Sequence, residues 1–513
     1  MQVKTEKKKI NLNKCCINEN VSEWIEQDII VPDTKPDALK ILHVNVTPYV
    51  SDVEITENRL KVIGKLNYFV IYRVDDDKFN ARGLFVSYPF TKNLDVNGIT
   101  KDMCITVVPK TKNIIYALPN ERKISVKSEI CFCIKAKSTK LVEVITSFDP
   151  DAMIECKMTK GNFNNIMQHK KSIIASKDDV MLPKDAEDFL EILDVNTKII
   201  NTEFKQSYNK IMVKGDIEVC MLYLTSNEDK RVKKTKFLVP FSGMIELDNI
   251  KDRSKFEIEY NIQNFELKPK SEIETVKTMS ADYRIETDVT MYEEEETEYV
   301  NDFYSQTRDL TYDKERIDVV TKDFTINKNI EIRETLSNIL PENTNVIDYS
   351  VDINSITPTV NSNNSIRVEG NAKVSVIIQN LDNNELDTKQ VDVLVNADVE
   401  LENVSPDAKI TVDIQNNGIN LTQNGRDIEI DMNIMIKSYI ENVATINIIN
   451  NVDSDKLDLS NIDSMNIYIV KPGDTLWNIA KKYKTSVEKI LKTNEDILDP
   501  NNINVGQKIF VIR

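Results

Sequence analysis

Leu60–Tyr72 reads LKVIGKLNYFVIY, Ile211–Leu224 reads IMVKGDIEVCMLYL and Ile366–Gln379 reads IRVEGNAKVSVIIQ. Each is rich in Val, Ile and Tyr and partly alternates apolar with polar residues, the mark of a half-buried strand. Each carries a glycine at the same place, Gly64, Gly215 or Gly370. An equivalent strand follows 25 residues after each glycine, at Pro89, Pro240 and Val395. Glycine inside a strand pattern predicts a bulge or a close approach of backbones.

The register extends outward from these glycines. Asp28–Leu42, DIIVPDTKPDALKIL, aligns without a gap on Asp179–Leu193, DVMLPKDAEDFLEIL, at an offset of 151. The same offset pairs Val44-Asn45 with Val195-Asn196, Tyr72 with Tyr223, Pro89-Phe90 with Pro240-Phe241 and Ile99 with Ile250. The third copy lacks the Pro-Phe pair and most of the Val-Pro-Asp segment. Strands are predicted at Lys61–Arg73, Lys210–Leu224 and Ser365–Gln379, and later in each copy at Lys123–Lys137, Tyr283–Tyr292 and Asp427–Ser438.

One apolar face per strand implies antiparallel sheets packed on one another. The expected fold is mainly β: three antiparallel β-rich, sandwich-like domains over 1–155, 156–310 and 311–460, then a small βααβ domain over 466–513. The repeat is too long for a solenoid unit, so the domains read as separate beads.

Composition narrows the function. A net charge of −17 over 513 residues argues against nucleic acid as a partner. The last 47 residues hold eight Lys/Arg against five Asp/Glu, net +3, which leaves −20 on residues 1–466. A basic cap on an acidic body points to an anionic contact, either a wall polymer or an acidic protein face. Lys7-Lys8-Lys9 reads as a disordered tail and Glu293–Glu296 as a solvated edge or loop.

The N-terminus shows no apolar run of a signal peptide, and no segment approaches the length of a membrane span. The seven cysteines, at 15, 16, 104, 131, 133, 156 and 220, follow no disulfide framework and fit reduced thiols in a cytosol. Cys131 and Cys133 share a strand face and read as small core hydrophobes.

Chemistry has little material. There are two histidines, His43 and His169, and His43 aligns with Asp194, so the repeat does not require imidazole there. No zinc spacing, phosphate loop, nucleophile elbow or metalloprotease motif occurs. No catalytic residue, metal site or cofactor is expected.

The C-terminal stretch Ile467–Arg513, IYIVKPGDTLWNIAKKYKTSVEKILKTNEDILDPNNINVGQKIFVIR, carries the densest motif. Thr475 is placed to cap a helix whose Leu476, Ile479, Ala480 and Tyr483 share one face. Thr485 and Glu488 have the spacing of a capping box for a second helix, with Val487, Ile490 and Leu491 inward. Gly506 turns the chain into a closing strand, Lys508–Ile512. Tyr468, Val470, Gly473-Asp474-Thr475-Leu476, Ile479-Ala480, Leu491, Asn494, Ile503, Gly506-Gln507 and Ile509 together resemble a LysM module. That resemblance implies a groove for N-acetylglucosamine-containing glycans between the loops 473–477 and 497–501. The candidate contact residues are therefore Gly473, Asp474, Thr475, Leu476, Trp477, Ile497, Leu498, Pro500 and Asn501. Leu476 also reads as a core residue, and Trp477, about 100° around the helix from it, as a contact that leaves the core.

ENVSEWIEQDIIVPDTKPDALKIL, Glu19–Leu42, resembles the first segment of the SPOCS domain of spore-forming clostridia. Three such repeats and one LysM module are similar in architecture to the SipL-like family of spore-coat morphogenetic proteins. The resemblance implies a non-enzymatic scaffold in the mother-cell cytosol, at the forespore surface. There the LysM module would bind the coat-basement ATPase SpoIVA, and the β domains would serve self-association. The alternative is a peptidoglycan-binding protein of cortex or cell wall. A hydrolase hidden in the β domains is the weakest reading.

Overall fold

The computed structural model describes residues 3–75, 81–150, 153–225, 232–270, 277–361, 365–383, 385–402, 404–405, 408–457 and 465–512, leaving aside the side chains of 13–16 and 321–323. Cys15 and Cys16 therefore lie outside the described side chains. Strands make up 76% of the structure, with two short helices near the C-terminus. The mainly-β expectation holds.

The first unit is built from β1 (Thr5–Ile30), β2 (Lys40–Thr56), β3 (Arg59–Arg73), β4 (Ala81–Asp95), β5 (Cys104–Asn120) and β6 (Lys123–Phe148). The sheets β2-β3-β4 and β1-β6-β5 face each other across one apolar core, which includes Val62, Tyr68, Phe90, Ile130, Phe132 and Ile134. The second unit repeats the plan with β7 (Ile154–Met181), β8 (Phe189–Ser207), β9 (Lys210–Thr225), β10 (Val232–Glu246), β11 (Lys255–Pro269) and β12 (Thr278–Ser305). The third uses β13 (Arg308–Leu336), β14 (Thr344–Asp352), β15 (Thr357–Val360), β16 (Ser365–Asn380), β17 (Leu386–Glu400), β18 (Lys409–Asn424) and β19 (Asp427–Lys456). Here β14 and β15 both pair with β16, where the first unit has the single bulged strand β2.

The shared glycines sit where backbones crowd. A Cβ on Gly64 would lie 2.1 Å from the Tyr49 carbonyl oxygen, and one on Gly370, at φ +149°, 2.3 Å from that of Ser355. A Cβ on Gly215 would lie 2.7 Å from the Phe241 ring. Close approach is one of the two expectations for these positions; the bulge is there too, in β2 between Val50 and Asp52 facing Gly64 and in β8 between Ile200 and Glu203 facing Gly215.

The units are not separate beads. Each opens and closes with strands of 26 to 30 residues, β1/β6, β7/β12 and β13/β19, and the closing strands β6, β12 and β19 extend well beyond the segments predicted for them. Their outer halves leave the sandwiches and bury a common core: Ile10 and Val142 from the first pair, Phe163 and Tyr299 from the second, Val319 and Ile448 from the third. Pairing of Leu12 with Asn165 joins β1 to β7, so the first two units share a six-stranded sheet.

At the other end Ile71, Leu222 and Ile377, each seven residues past its unit's glycine, meet in another shared cluster. The three copies thus close on each other as an internal trimer. A cavity of about 590 Å³ opens at their junction, lined by His43, Asn45, Asp194, Lys110, Lys234 and Asp348 among others. His43 stands on its wall. Burial pushes the Asp194 carboxyl up; it accepts hydrogen bonds from Asn45 and Asn196, both at 2.8 Å.

Three sequence expectations fail, at Lys7-Lys8-Lys9, at Glu293–Glu296 and at Cys131 with Cys133. Lys7-Lys8-Lys9 is not a tail but part of β1, and Glu293–Glu296 is not a solvated edge but lies within β12. Lys8 Nζ reaches Glu295 at 2.9 Å. Glu293, 3% exposed, binds Lys251 and Arg253 at 3.0 and 2.7 Å, and Glu294 and Glu296 pair with Lys255 and Lys160. Cys131 and Cys133 do share a face, but Ile130, Phe132 and Ile134 take the core. The two thiols are half-buried on the opposite side, near Lys110 and Asp413.

Candidate functional site

The C-terminal module comprises β20 (Met465–Ile469), α1 (Leu476–Tyr483), α2 (Val487–Thr493) and β21 (Lys508–Ile512). The two strands pair antiparallel with Tyr468 opposite Ile509. Val470, Leu476, Ile479, Ala480, Ile490, Ile509 and Val511 form the core, as the helical spacing predicts.

The turn before α1 is built by its side chains. Gly473 adopts φ +86°, a left-handed conformation that a Cβ disfavours. Asp474 accepts hydrogen bonds from the Lys471 N–H at 2.8 Å and the Tyr468 hydroxyl at 2.7 Å. These bonds hold its carboxyl below the usual carboxylate range. Thr475 Oγ1 accepts the Asn478 N–H at 3.2 Å and caps α1.

The cap of α2 is one residue later than the sequence suggests. Ser486 accepts the Lys489 N–H at 3.1 Å, Thr485 Oγ1 instead donates to the Ile512 carbonyl, and Glu488 pairs with Lys492. Buried Asn494 clamps α2 to β21: Nδ2 donates to the carbonyls of Ile490 and Phe510, and Oδ1 accepts the Phe510 N–H, all at 2.7 Å.

Of the nine candidate contacts, Gly473, Thr475, Leu498, Pro500 and Asn501 are exposed, and Leu498 is 95% exposed. Asp474 and Ile497 are partly covered. The Asn501 N–H donates to Asp499 Oδ1 at 2.9 Å, which shapes the second loop. Leu476 is core, 2% exposed, and offers no contact surface.

Trp477 does turn away from the centre of the module, but it lands on the second unit of the same chain. Its ring meets Tyr304 edge-on at 5.0 Å, and Nε1 donates to Asp302 Oδ2 at 2.8 Å. Lys481, one turn on, reaches Asp302 Oδ1 at 2.5 Å. Burial would raise the Asp302 carboxyl, but hydrogen bonds from Lys481 and Trp477 outweigh it and hold the group low. The Tyr304 hydroxyl donates to the Thr485 carbonyl at 2.8 Å, and burial drives that phenol well above its usual range. Lys484 with Asp309 at 3.0 Å and Lys489 with Gln306 at 3.3 Å extend the contact. The basic cap therefore meets an acidic protein face, here the end of β12 and the start of β13.

Nothing in the sequence marks Asp302 or Tyr304, because the second unit's pattern gives no sign of what packs on its last strand. Among the described residues no group of three or more His, Cys, Asp or Glu side chains is placed to hold a metal ion. No helix among them is long and apolar enough to cross a membrane.

Comparison with known proteins matches three segments of the chain. Residues 468–511 match the LysM domain, and residues 37–118 and 188–270 match the SPOCS domain of SipL. The chain thus carries at least two SPOCS domains and a LysM domain, both non-catalytic domain types. The third unit lies outside both SPOCS matches.

The endolysin of Bacillus phage B103 is 54% identical over 46 residues, 9% of this chain and 18% of the endolysin. The spore coat assembly protein ExsA of Bacillus cereus is 49% identical over 47 residues, 9% of this chain and 7% of that protein. The SpoIVD-associated factor A of Bacillus subtilis (strain 168) is 47% identical over 47 residues, 9% of this chain and 12% of that protein. The matches thus span less than a fifth of each of these relatives. No solved structure matches.

Proposed function

We propose that this chain is a non-enzymatic scaffold of spore coat assembly. Its three β units form the body, and its LysM module is a docking head for the coat-basement ATPase SpoIVA at the forespore surface, in the mother-cell cytosol. The observation that supports this most is the joining of SPOCS repeats and a LysM module in one chain, with that module seated on an acidic protein face. The module's lysines and Trp477 already recognise carboxylates and an aromatic ring of protein origin. The exposed residues of the two loops, Gly473, Thr475, Leu498, Pro500 and Asn501, provide the outward contact, with Leu498 its most exposed apolar group. The sheet surfaces of the β units offer the sites for self-association.

A second reading is favoured by the partial LysM likeness to endolysins and to a cortical fragment-lytic enzyme. Here the same loops hold an N-acetylglucosamine glycan of cortex or wall.

One experiment separates the two. The full chain, and a variant with the exposed loop residues Leu498, Pro500 and Asn501 replaced by serine, are incubated with purified SpoIVA and, separately, with purified peptidoglycan. The scaffold reading expects capture of SpoIVA that is lost in the variant. Capture that survives these replacements means that the assigned face is wrong. Sedimentation with peptidoglycan, released by N-acetylglucosamine oligomers and without capture of SpoIVA, selects the second reading.

A further inference from the structure

The repeat sets three equivalent side chains around the junction of the units. His43 lies opposite Ile71, Asp194 opposite Leu222 and Asp348 opposite Ile377, the residues seven positions past the shared glycines. Each directly follows a shift in strand register. All three line the cavity of about 590 Å³, a volume that suits a small ligand.

Two of the three are carboxylates, and the chain treats them differently. Leu222 also faces Lys234, so Asp194, Leu222 and Lys234 share one face of the second unit. Lys234 crosses to the third unit and donates to Asp348 Oδ1 at 2.5 Å. In the first unit the position equivalent to Lys234, opposite Ile71, is Gly83. Gly83 lies against β8, where a Cβ would stand 2.9 Å from the Ile192 carbonyl oxygen. A lysine side chain has no room there, and Asp194 goes without the counter-ion that Asp348 has.

Asp194 is 5% exposed and held by neutral groups: Oδ1 accepts from Asn45 and Oδ2 from Asn196, both at 2.8 Å. Among the described residues no ion pair joins it to a lysine, an arginine or His43. The other charges on the wall face opposite ones. Lys110 meets Asp413 at 2.6 Å, Lys112 meets Glu129 at 2.9 Å, and Lys373 stands opposite Asp352 in the register of β14 with β16. A buried carboxylate without a counter-ion is costly, and burial pushes this one up.

The cavity gives a cation room to reach it. No group of three or more His, Cys, Asp or Glu side chains among the described residues is placed to hold a metal ion. The missing charge is therefore that of an organic cation, and an ammonium group suits a carboxylate flanked by amides. Ser375, Thr388 and Gln390 of the third unit add hydroxyl and amide groups to the same wall.

We propose that this cavity binds a small hydroxylated primary amine, with its ammonium on Asp194 and its hydroxyl groups along Ser375, Thr388 and Gln390. The ammonium takes the place at Asp194 that Lys234 has at Asp348. The site uses no residue of the LysM module, so it stands apart from what the module's loops bind.

The probe is D-glucamine, a primary amine on a polyhydroxylated chain. Its control is D-sorbitol, which has a hydroxyl in place of the amine. Calorimetry uses the full chain at pH 8, which favours ionised Asp194 while a primary amine stays protonated. D-glucamine, with about a dozen non-hydrogen atoms, should bind with a Kd on the order of 1 mM. D-sorbitol should bind at least ~10-fold more weakly, the step that about one charge-assisted contact makes. In hydrogen exchange D-glucamine should slow the amides of 43–46 and 194–197 and leave those of 476–485 unchanged.

Asp194→Asn should weaken D-glucamine by ~10-fold or more at an unchanged melting temperature. The comparison with D-sorbitol and the exchange map need no variant, so they decide the matter even where Asp194→Asn fails to fold. Equal binding of the two polyols overturns the proposal, as does no binding of D-glucamine at a concentration well above the expected Kd. So does protection confined to other segments, or a folded Asp194→Asn with unchanged affinity.

Discussion

Replacing Asp302 by alanine isolates the force that seats the LysM module on the second unit. The Asp302 carboxylate accepts from Trp477 Nε1 at 2.8 Å and from Lys481 Nζ at 2.5 Å, and its side chain is 25% exposed. A hydrogen bond to a charged group contributes about 1.5–3 kcal/mol net. Lys481 is partly exposed and regains water when freed, so its share drops below about 1 kcal/mol. Trp477 Nε1 sits in the packed face with Tyr304, and its bond keeps the larger share. The sum is ~2–3 kcal/mol, a ~30–150-fold shift from docked toward undocked.

Hydrogen exchange on the full chain reads this directly. Amides of 476–485 and 302–309 should exchange ~30-fold faster or more in Asp302→Ala, while those of the first unit's β3 stay unchanged. Exchange within about threefold of the unaltered chain in both segments would refute the account. The folded pKa of Asp302 lies below its unfolded value. Its contribution is therefore complete above the unfolded value near 4 and is lost as pH falls through the folded one. The unaltered chain should approach the variant in acid. A partner that needs Trp477 competes with this docking, so the same variant should tighten that partner by up to the same factor.

Leu476→Ala should unfold the module within an intact body, since losing this core side chain costs about 2–5 kcal/mol; a separate low-temperature transition in calorimetry checks it. Gly64→Ala drives a Cβ toward the Tyr49 backbone oxygen and should cost about 3 kcal/mol in chemical denaturation. Gly215→Ala meets a ring that can turn and should cost about 1–2 kcal/mol. The His169 pKa is raised from 6.5 to about 9, so its contribution to stability is complete below pH 6.5 and lost as pH rises through 9. Urea titrations should show a decline of up to about 3 kcal/mol over that window, absent in His169→Asn. Asp288, held low by His169, Thr106 and Lys171 against the effect of burial, titrates far below this range and adds no slope.

How much of this is legible follows from what a period of two can encode. Alternation tells which side chains share a face, and the repeat of Gly64 at Gly215 and Gly370 marks three equivalent strands from spacing alone. In the LysM module, spacing also locates the cap at Thr475 and the core at Leu476, Ile479 and Ile490. What alternation cannot encode is the identity of the element that covers the second face. It puts Cys131 and Cys133 together but does not say which face is the core, and the core takes the residues between and beside them. Helical spacing turns Trp477 outward, and outward it goes, but onto Tyr304, 173 positions earlier.

The long strands show the same limit from the other direction. The outer half of β12 contains Glu293–Glu296, which no sandwich core could hold, so the alternation signal ends there although the strand does not. The strand continues because neighbouring strands supply the counter-charge: Lys8 of β1 reaches Glu295, and Lys160 of β7 reaches Glu296. A run of like charge reads as solvated when its own neighbourhood is all that can be seen. Here two runs of opposite sign, one at each end of the first 300 residues, come within one hydrogen-bond length of each other at Lys8 and Glu295. Both runs are plain in the sequence, but only the internal trimer brings them together.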